Sequence, residues 1–151
     1  MFVRRATPLD LEAIVPLFDD YRQFNGKSSD PVQARTFLSD RLRLGESVIF
    51  VAESELTILG FVQLFPGFSS VSLARTFVVN DLFVSPSHRR KGIASSLLQA
   101  AAHHAGLEGA VRITASTAID NVPTQILNEA NGFVRDKSFY VYHLHPRTGE
   151  N

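Results

Sequence analysis

The apolar positions of the chain follow two periods. Leu11, Ile14, Val15, Phe18 and Tyr21 recur three or four residues apart, with Phe24 one step beyond, and this stripe predicts an amphipathic helix. Thr7-Pro8-Leu9-Asp10 precedes it with an N-cap, a proline for the first helical position and a capping-box carboxylate. Asn25-Gly26-Lys27-Ser28-Ser29 breaks the stripe, and Asp30-Pro31 opens a second helix by the same logic. That helix turns Phe37, Leu38, Leu42 and Leu44 inward and stops at Gly45. A third helix follows Gly92, with Ile93, Leu97, Leu98, Ala101, Ala102 and Ala105 on one face and Gly106 at its end. A short fourth begins after Asp120-Asn121, turns Ile126 and Leu127 inward and closes at Asn131-Gly132.

The remaining segments are runs of β-formers. Residues 2–5 read as a short, charged edge strand. Residues 47–53 (with V-I-F-V-A) and 58–65 (I-L-G-F-V-Q-L-F) are joined by a link short enough for a hairpin. Pro66-Gly67-Phe68-Ser69-Ser70 is expected to be a turn, residues 72–84 a long strand and residues 110–116 another. Phe133-Val134 begins a strand, residues 138–145 (S-F-Y-V-Y-H-L-H) form the last one, and residues 145–151 form a loose tail. The order β-αα-βββ-α-β-α-ββ predicts a mixed α/β fold with an early antiparallel meander. At 151 residues, a single domain covering 1–151 is expected.

Composition changes this picture mainly by exclusion. Lys and Arg number 15 and so do Asp and Glu, so no bulk charge steers the chain to nucleic acid or to a membrane, and anion recognition has to be local. There is no cysteine, which removes disulfides, thiolate metal sites and an acyl-cysteine intermediate. No signal-like apolar region and no run of transmembrane length is present, and a cytoplasmic location is expected.

Local anion chemistry appears in one stretch, N-D-L-F-V-S-P-S-H-R-R-K-G-I-A-S-S-L-L, from Asn80 to Leu98. Arg89, Arg90, Lys91 and Gly92 lie between a strand end and a helix start. The opening amides of a helix lack partners there, and its dipole adds positive potential. Gly92 removes side-chain bulk, and Ala94, Ser95 and Ser96 keep the first turn open. Together these suit a diphosphate, although the same residues also fit an ordinary solvated basic loop. The spacings of a Walker loop and of a dinucleotide fingerprint are both absent, and no aromatics interleave as in a single-strand nucleic-acid site.

V-x-P-x-x-R-R-K-G-I-A resembles motif A of the GNAT superfamily of N-acetyltransferases, with Arg89, Gly92 and Ala94 standing at its R/Q-x-x-G-x-G/A core. Further on, N-V-P-T-Q-I-L-N-E-A-N-G-F (Asn121 to Phe133) is similar to the family's N-x-x-A-x-x-L-Y-E-x-x-G-F. Thr124 replaces the alanine and Asn128 replaces the tyrosine. D-L-F-V and F-x-x-Y resemble the branch of small histone, polyamine and amino-acid acetyltransferases.

The resemblance implies a mostly antiparallel sheet with splayed middle strands, flanked by helices, and acetyl-CoA as donor. It implies that backbone groups of Leu82, Phe83 and Val84 pair with the pantetheine arm. It further implies that Arg89, Arg90, Lys91, Gly92, Ile93, Ala94 and Ser95 receive the diphosphate, and that Asn121 contacts the arm. An amine acceptor, no nucleic-acid or membrane partner, no metal and a homodimer or higher homo-oligomer complete the expectation.

The chemistry implied is acetylation of a primary amine by direct transfer, the amine belonging to a small molecule (polyamine, amino acid or similar) or to a protein lysine. Asp81 can take up a proton if it faces the cleft; satisfying backbone amides in the core is an equal alternative. Asn128 cannot protonate a leaving thiolate, so Tyr140 or Tyr142 on the last strand, or water, is expected to cover that role. The departure at Asn128 also keeps a non-catalytic CoA-binding sensor or interaction module open. Asp19 and Asp20 read as an ammonium attractant or as a solvated helix face. Phe61, Phe65 and Phe68 read as core or as a dimer surface. His103, His104, His143 and His145 read as structural or surface residues, and His88 as a solvated loop residue or a contact to a CoA phosphate.

Overall fold

A computed structural model describes residues 1–147 of the chain. Of the tail expected over 145–151, positions 148–151 lie outside the described residues. The elements in order are β1 (Phe2–Arg5), α1 (Leu11–Phe24), α2 (Pro31–Arg43), β2 (Val48–Ser54), β3 (Thr57–Ser69), β4 (Ala74–Val84), α3 (Ile93–Leu107), β5 (Arg112–Ala115) and α4 (Val122–Ala130). The sheet order is β1-β2-β3-β4-β5. The first four strands are antiparallel neighbours, and β5 joins β4 in parallel through the α3 crossover. The expected mixed α/β architecture with an antiparallel meander is therefore present. No helix among the described residues is long and apolar enough to cross a membrane.

Strand alternation divides the apolar residues into two layers. Val48, Ala52, Val62, Leu64, Phe77 and Val79 pack with Leu97 and Leu98 of α3 on one face of the sheet. On the other face Ile49, Val51, Phe61 and Phe83 pack with Ile14, Val15 and Phe18 of α1 and Leu38 of α2. The helix starts are built as the sequence predicts. Thr7 and Asp10 form a reciprocal capping box over a 3₁₀ turn at Pro8–Asp10, and Asp30 caps α2 by accepting from the Gln33 amide at 3.1 Å. Four residues expected inward are exposed instead: Leu44 caps α2, Ala102 faces solvent, Ile126 on α4 is exposed, and Phe37 lies at the rim, stacked on Phe18.

Two expectations are corrected. The Pro66-to-Ser70 turn is absent, because β3 continues to Ser69 and pairs with β4 as far as Ser69↔Ala74. The β2 ladder ends at Val48↔Leu64, so beyond that point β3 is an edge strand, where a proline without an N–H is tolerated. The strands expected at Phe133-Val134 and at 138–145 do not form. A strand needs a neighbouring strand for its N–H and C=O groups, and none pairs with this segment among the described residues.

The β2–β3 hairpin closes through Glu55-Leu56, both in the left-handed region (φ 49° and 65°). This two-residue loop suits the strand twist but penalises residues with a Cβ. Replacing the pair by Asn-Gly is expected to raise stability by about 1–2 kcal/mol, about 3–6 °C in a thermal scan. On the edge strand β1, Arg4 binds Asp10 through both terminal nitrogens (2.9 and 2.8 Å) and reaches Glu53 at 3.1 Å, tying β1 to the start of α1 and to β2. The Arg4 pairing, helped by the Thr7 amide, holds the Asp10 carboxyl at about 2 against an ordinary 3.8. Its contribution is complete above the ordinary value and is lost as pH falls through about 2. Asp10→Asn is therefore expected to cost about 1–2 kcal/mol near neutrality. In urea titrations at stepwise lower pH, the gap between the two proteins should close between about pH 4 and pH 2.

Candidate functional site

The site begins with one extra residue in β4. Gln63 pairs with Asp81 and Leu64 pairs with Val79, so Asn80 has no counterpart and forms a β-bulge. Before the bulge, Phe77 and Val79 face α3. After it, Leu82 and Val84 face α3, and Phe83 joins the α1–α2 layer. Regular alternation would put Val79 and Asp81 on one face; the bulge resets the phase. Asp81, opposite Gln63, is thereby turned toward α1 and is 5% exposed, whereas Asn80 is exposed.

Asp81 is held by side-chain amides rather than by the backbone amides weighed from the sequence. Gln63 donates Nε2–H to Oδ2 at 2.6 Å, and Asn80 donates Nδ2–H to Oδ1 at 3.1 Å. Above this pair lies Tyr21 of α1, whose hydroxyl donates to the Asn80 carbonyl at 3.3 Å. Burial, together with the Asp81 charge, pushes the Tyr21 phenol well above its ordinary range, so it stays a neutral donor. The other polar atom of Gln63, Oε1, is buried without a hydrogen-bond partner among the described residues. Gln63 was not singled out from the sequence. The available signal was one polar residue inside the apolar run I-L-G-F-V-Q-L-F.

β4 then outruns its parallel neighbour. β5 pairs only with Thr76 through Val79, which leaves Leu82, Phe83 and Val84 with no neighbouring strand on that side among the described residues. A 3₁₀ turn, Pro86–His88, leads to the Arg89–Gly92 loop and into α3. Gly92 caps α3 with φ 77° and no side-chain cap. The first helical bond runs from the Ser96 N–H to the Gly92 C=O (3.1 Å), so the amides of Ile93, Ala94 and Ser95 have no backbone acceptor among the described residues.

The cations divide. Arg90 and Lys91 are exposed, while the Arg89 guanidinium folds back to donate Nε–H to the Val84 carbonyl at 3.0 Å and lies over the Phe24 and Phe83 rings. Gly92 adopts a backbone angle (φ 77°) that favours glycine, and a Cβ there would meet no protein atom within 4 Å. An open groove of about 500 Å³, bordered by Met1, Thr57, His88, Lys91 and Ile93, lies beside this loop rather than at the β4–β5 opening.

α4 closes the far side. Asn131 donates to the Ser95 hydroxyl (3.1 Å) and to the Leu127 carbonyl (2.9 Å), fixing the end of α4 on the first turn of α3. Asn128 lies one turn earlier on the same side of α4, half-buried. Asn121 accepts from the Thr124 amide (3.2 Å), so its Oδ1 caps α4 and only its Nδ2 is left for a ligand.

Tyr140 is not brought to this cluster. It is 89% exposed on the unpaired C-terminal segment, and Tyr142 is equally open. Asp19 corrects both readings offered for it. It is buried and accepts from the Ser29 hydroxyl (2.6 Å), the Asp30 amide (2.8 Å) and Gln23 (3.1 Å), tying the α1–α2 loop to α1. His104 sits edge-on to Phe50 and Phe77, a packing role in which burial lowers its pKa.

The profile of the acetyltransferase (GNAT) family matches residues 11–133. YhfO of Bacillus subtilis (strain 168), an uncharacterized N-acetyltransferase, is 44% identical over 144 residues, covering 95% of this chain and 97% of its own. A probable acetyltransferase of Haemophilus influenzae is 38% identical over 99 residues, 64% of this chain and 67% of its own. Among solved structures, a crystallised probable acetyltransferase superposes with a TM-score of 0.93 at 41% identity, covering 98% of this chain and 99% of that one.

The angle at Gly92 makes a graded prediction. Gly92→Asn should cost less than about 1 kcal/mol, because asparagine tolerates the left-handed region, whereas Gly92→Val should cost about 1–2 kcal/mol or more. Chemical denaturation of the two variants checks this, and equal costs would show that the backbone angle is not the constraint.

Proposed function

The chain belongs to the GNAT family of acetyltransferases, and from that premise we propose that it acetylates a primary amine, of a small molecule or of a protein lysine, with acetyl-CoA as donor. One observation carries the donor half: the stretch of β4 that has no neighbouring strand beyond Val79 runs directly into a helix start with open amides. In this reading the backbone of Leu82, Phe83 and Val84 holds the amide-bearing arm of CoA as an added strand. The amides from Arg89 to Ser95, with the exposed Arg90 and Lys91, hold the diphosphate. Arg89 acts by bracing the end of β4, and the Nδ2 of Asn121 is the group left to meet the arm. The bound donor supplies a thioester. The new N–C bond replaces the C–S bond, one proton leaves the amine and one reaches the sulfur.

An alkylammonium group has a pKa of about 10, so the attacking amine must first give up a proton. We assign that proton to Asp81, reached through water because both of its oxygens are already engaged and only 5% of the residue is exposed. The neutral Tyr21 hydroxyl and the partnerless Gln63 Oε1 lie beside it and suit an ordered water or an incoming N–H. Asn128 has no titrating group. A thiolate, with a pKa of about 8.5, needs little assistance to leave, and the amide can donate a hydrogen bond to sulfur. Tyr140 of the same chain is not assigned a role.

Thiol release against a panel of polyamines, amino acids, aminoglycoside-like amines and lysine peptides tests the reading. Asp81→Asn keeps the shape and removes the charge. It is expected to lower kcat/KM about 100-fold with CoA affinity unchanged. An unaltered rate would leave Asp81 a structural residue. CoA binding without turnover on any amine would favour a sensor.

A further inference from the structure

One cation beside the Asp81 cluster keeps unused hydrogen-bonding capacity. Arg89 commits its Nε–H to the Val84 carbonyl at 3.0 Å, and its two terminal nitrogens have no partner among the described residues. None of the ion pairs among the described residues involves it. Its guanidinium carbon lies 5.4 Å from the centroid of Phe24 and 5.2 Å from that of Phe83, so two ring faces hold the planar group in place. With Nε anchored, the end-on pair Nη1 and Nη2 remains, a fork that can take both oxygens of one carboxylate.

The rings place this fork on the Asp81 side of β4. Past the bulge the ladder is regular, so Asp81 and Phe83, two residues apart, share one face. The Phe83 ring meets that of Tyr21 at 5.9 Å, and the Tyr21 hydroxyl reaches the Asn80 carbonyl. Phe24 lies one turn beyond Tyr21 on α1 and is 66% exposed. Asp81, Tyr21, Phe83, Arg89 and Phe24 therefore line one wall. Its inner end is a buried carboxylate and its outer end a guanidinium. A ligand that complements this wall carries its charges in the reverse order, an ammonium inward and an anion behind it.

We propose that Nη1 and Nη2 of Arg89 form a carboxylate subsite for the acceptor, so that the amine acetylated is that of a free amino acid. The amine points inward, to Asp81 and the Tyr21 hydroxyl, and the carboxylate stays at the rim on Arg89. Asp81 and Phe83 stand about 7 Å apart along β4, so the two charged groups of the acceptor are a few bonds from each other rather than at the ends of a long chain. The same cation disfavours the other acceptors. A polyamine would bring a second ammonium toward the guanidinium, a like-charge contact that selects against it. A lysine within a protein brings no carboxylate of its own. The subsite rests on the acetyl-transfer reading, and it gives the Arg89 side chain a role separate from the backbone amides assigned to the diphosphate.

The test follows thiol release from acetyl-CoA with matched acceptors: amino acids, their carboxamides, the corresponding decarboxylated amines, and spermidine. The parent should favour at least one amino acid over its carboxamide and its decarboxylated amine by about 10–100-fold in kcat/KM, chiefly through KM. Arg89→Gln should bring that ratio close to one while calorimetry still detects CoA binding. Arg89→Lys, which keeps the charge without the fork, should retain only part of the ratio. Phe24→Ala, which removes one ring from the guanidinium, should lower it about 2–5-fold. If Arg89→Gln does not fold by circular dichroism, the Arg89→Lys and Phe24→Ala ratios decide. Turnover of amines without preference for a carboxylate, or a preference that survives these variants, would overturn the subsite and leave acetyl transfer standing. Loss of CoA binding in folded Arg89→Gln would assign the terminal nitrogens to the donor and also overturn it. No turnover with any acceptor would overturn the acetyl-transfer reading, and the subsite with it.

Discussion

Eleven residues of β4 lie beside four of β5, and a bulge stands where the pairing stops. On its other side β4 is locked to β3 from Ser69↔Ala74 to Gly60↔Val84, so its course follows the antiparallel partner. A bulge bends the strand that carries it and adds twist, which takes the second half of β4 out of line with a parallel neighbour. The end of pairing at Val79↔Ala115 and the inward turn of Asp81 thus share one cause. Removing Asn80 would leave Asp81 next to Val79 in regular alternation and still on the α1 side, but would take away the bend that carries the second half of β4 away from β5.

That dependence explains what the sequence disclosed. Periods of 3.6 and 2 are summed over many residues, so α1, α2, α3 and the meander were readable, as were the caps at Thr7 and Asp30. A bulge is a single residue with no compositional mark, so the face of Asp81 was undecidable without the ladder. Arg89 could be recognised as a cation but not as one folded back on Val84. At Pro66 the turn-forming composition was real, but the absence of a β2 partner beyond Leu64 let the strand continue. The segment 138–144 shows the converse: strand propensity without a partner yields no strand in a single chain.

The two halves of the site are built from different materials. The donor side uses backbone, the open edge of β4 and the first turn of α3, so it asks little of side chains beyond Gly92 and small residues after it. The Asp81 side is made of side chains from three elements: Tyr21 on α1, Gln63 on β3 and Asp81 on β4. Substitution can therefore alter the second without disturbing the first.

Gln63 gives that side its directionality. Its NH₂ group is committed to Asp81, which leaves Oε1 as a buried acceptor without a donor, an arrangement that costs about 1–3 kcal/mol. Turning the amide over would relieve Oε1 only by setting oxygen against carboxylate, a worse contact in a low-dielectric pocket. The cost is relieved when an N–H or O–H donor arrives. On the acetyl-transfer reading, the groups available are the acceptor amine and the water that passes its proton to Asp81. A carboxylate with a neutral phenol and an orphan carbonyl beside it favours donors over acceptors, which is the polarity an ammonium-bearing substrate requires.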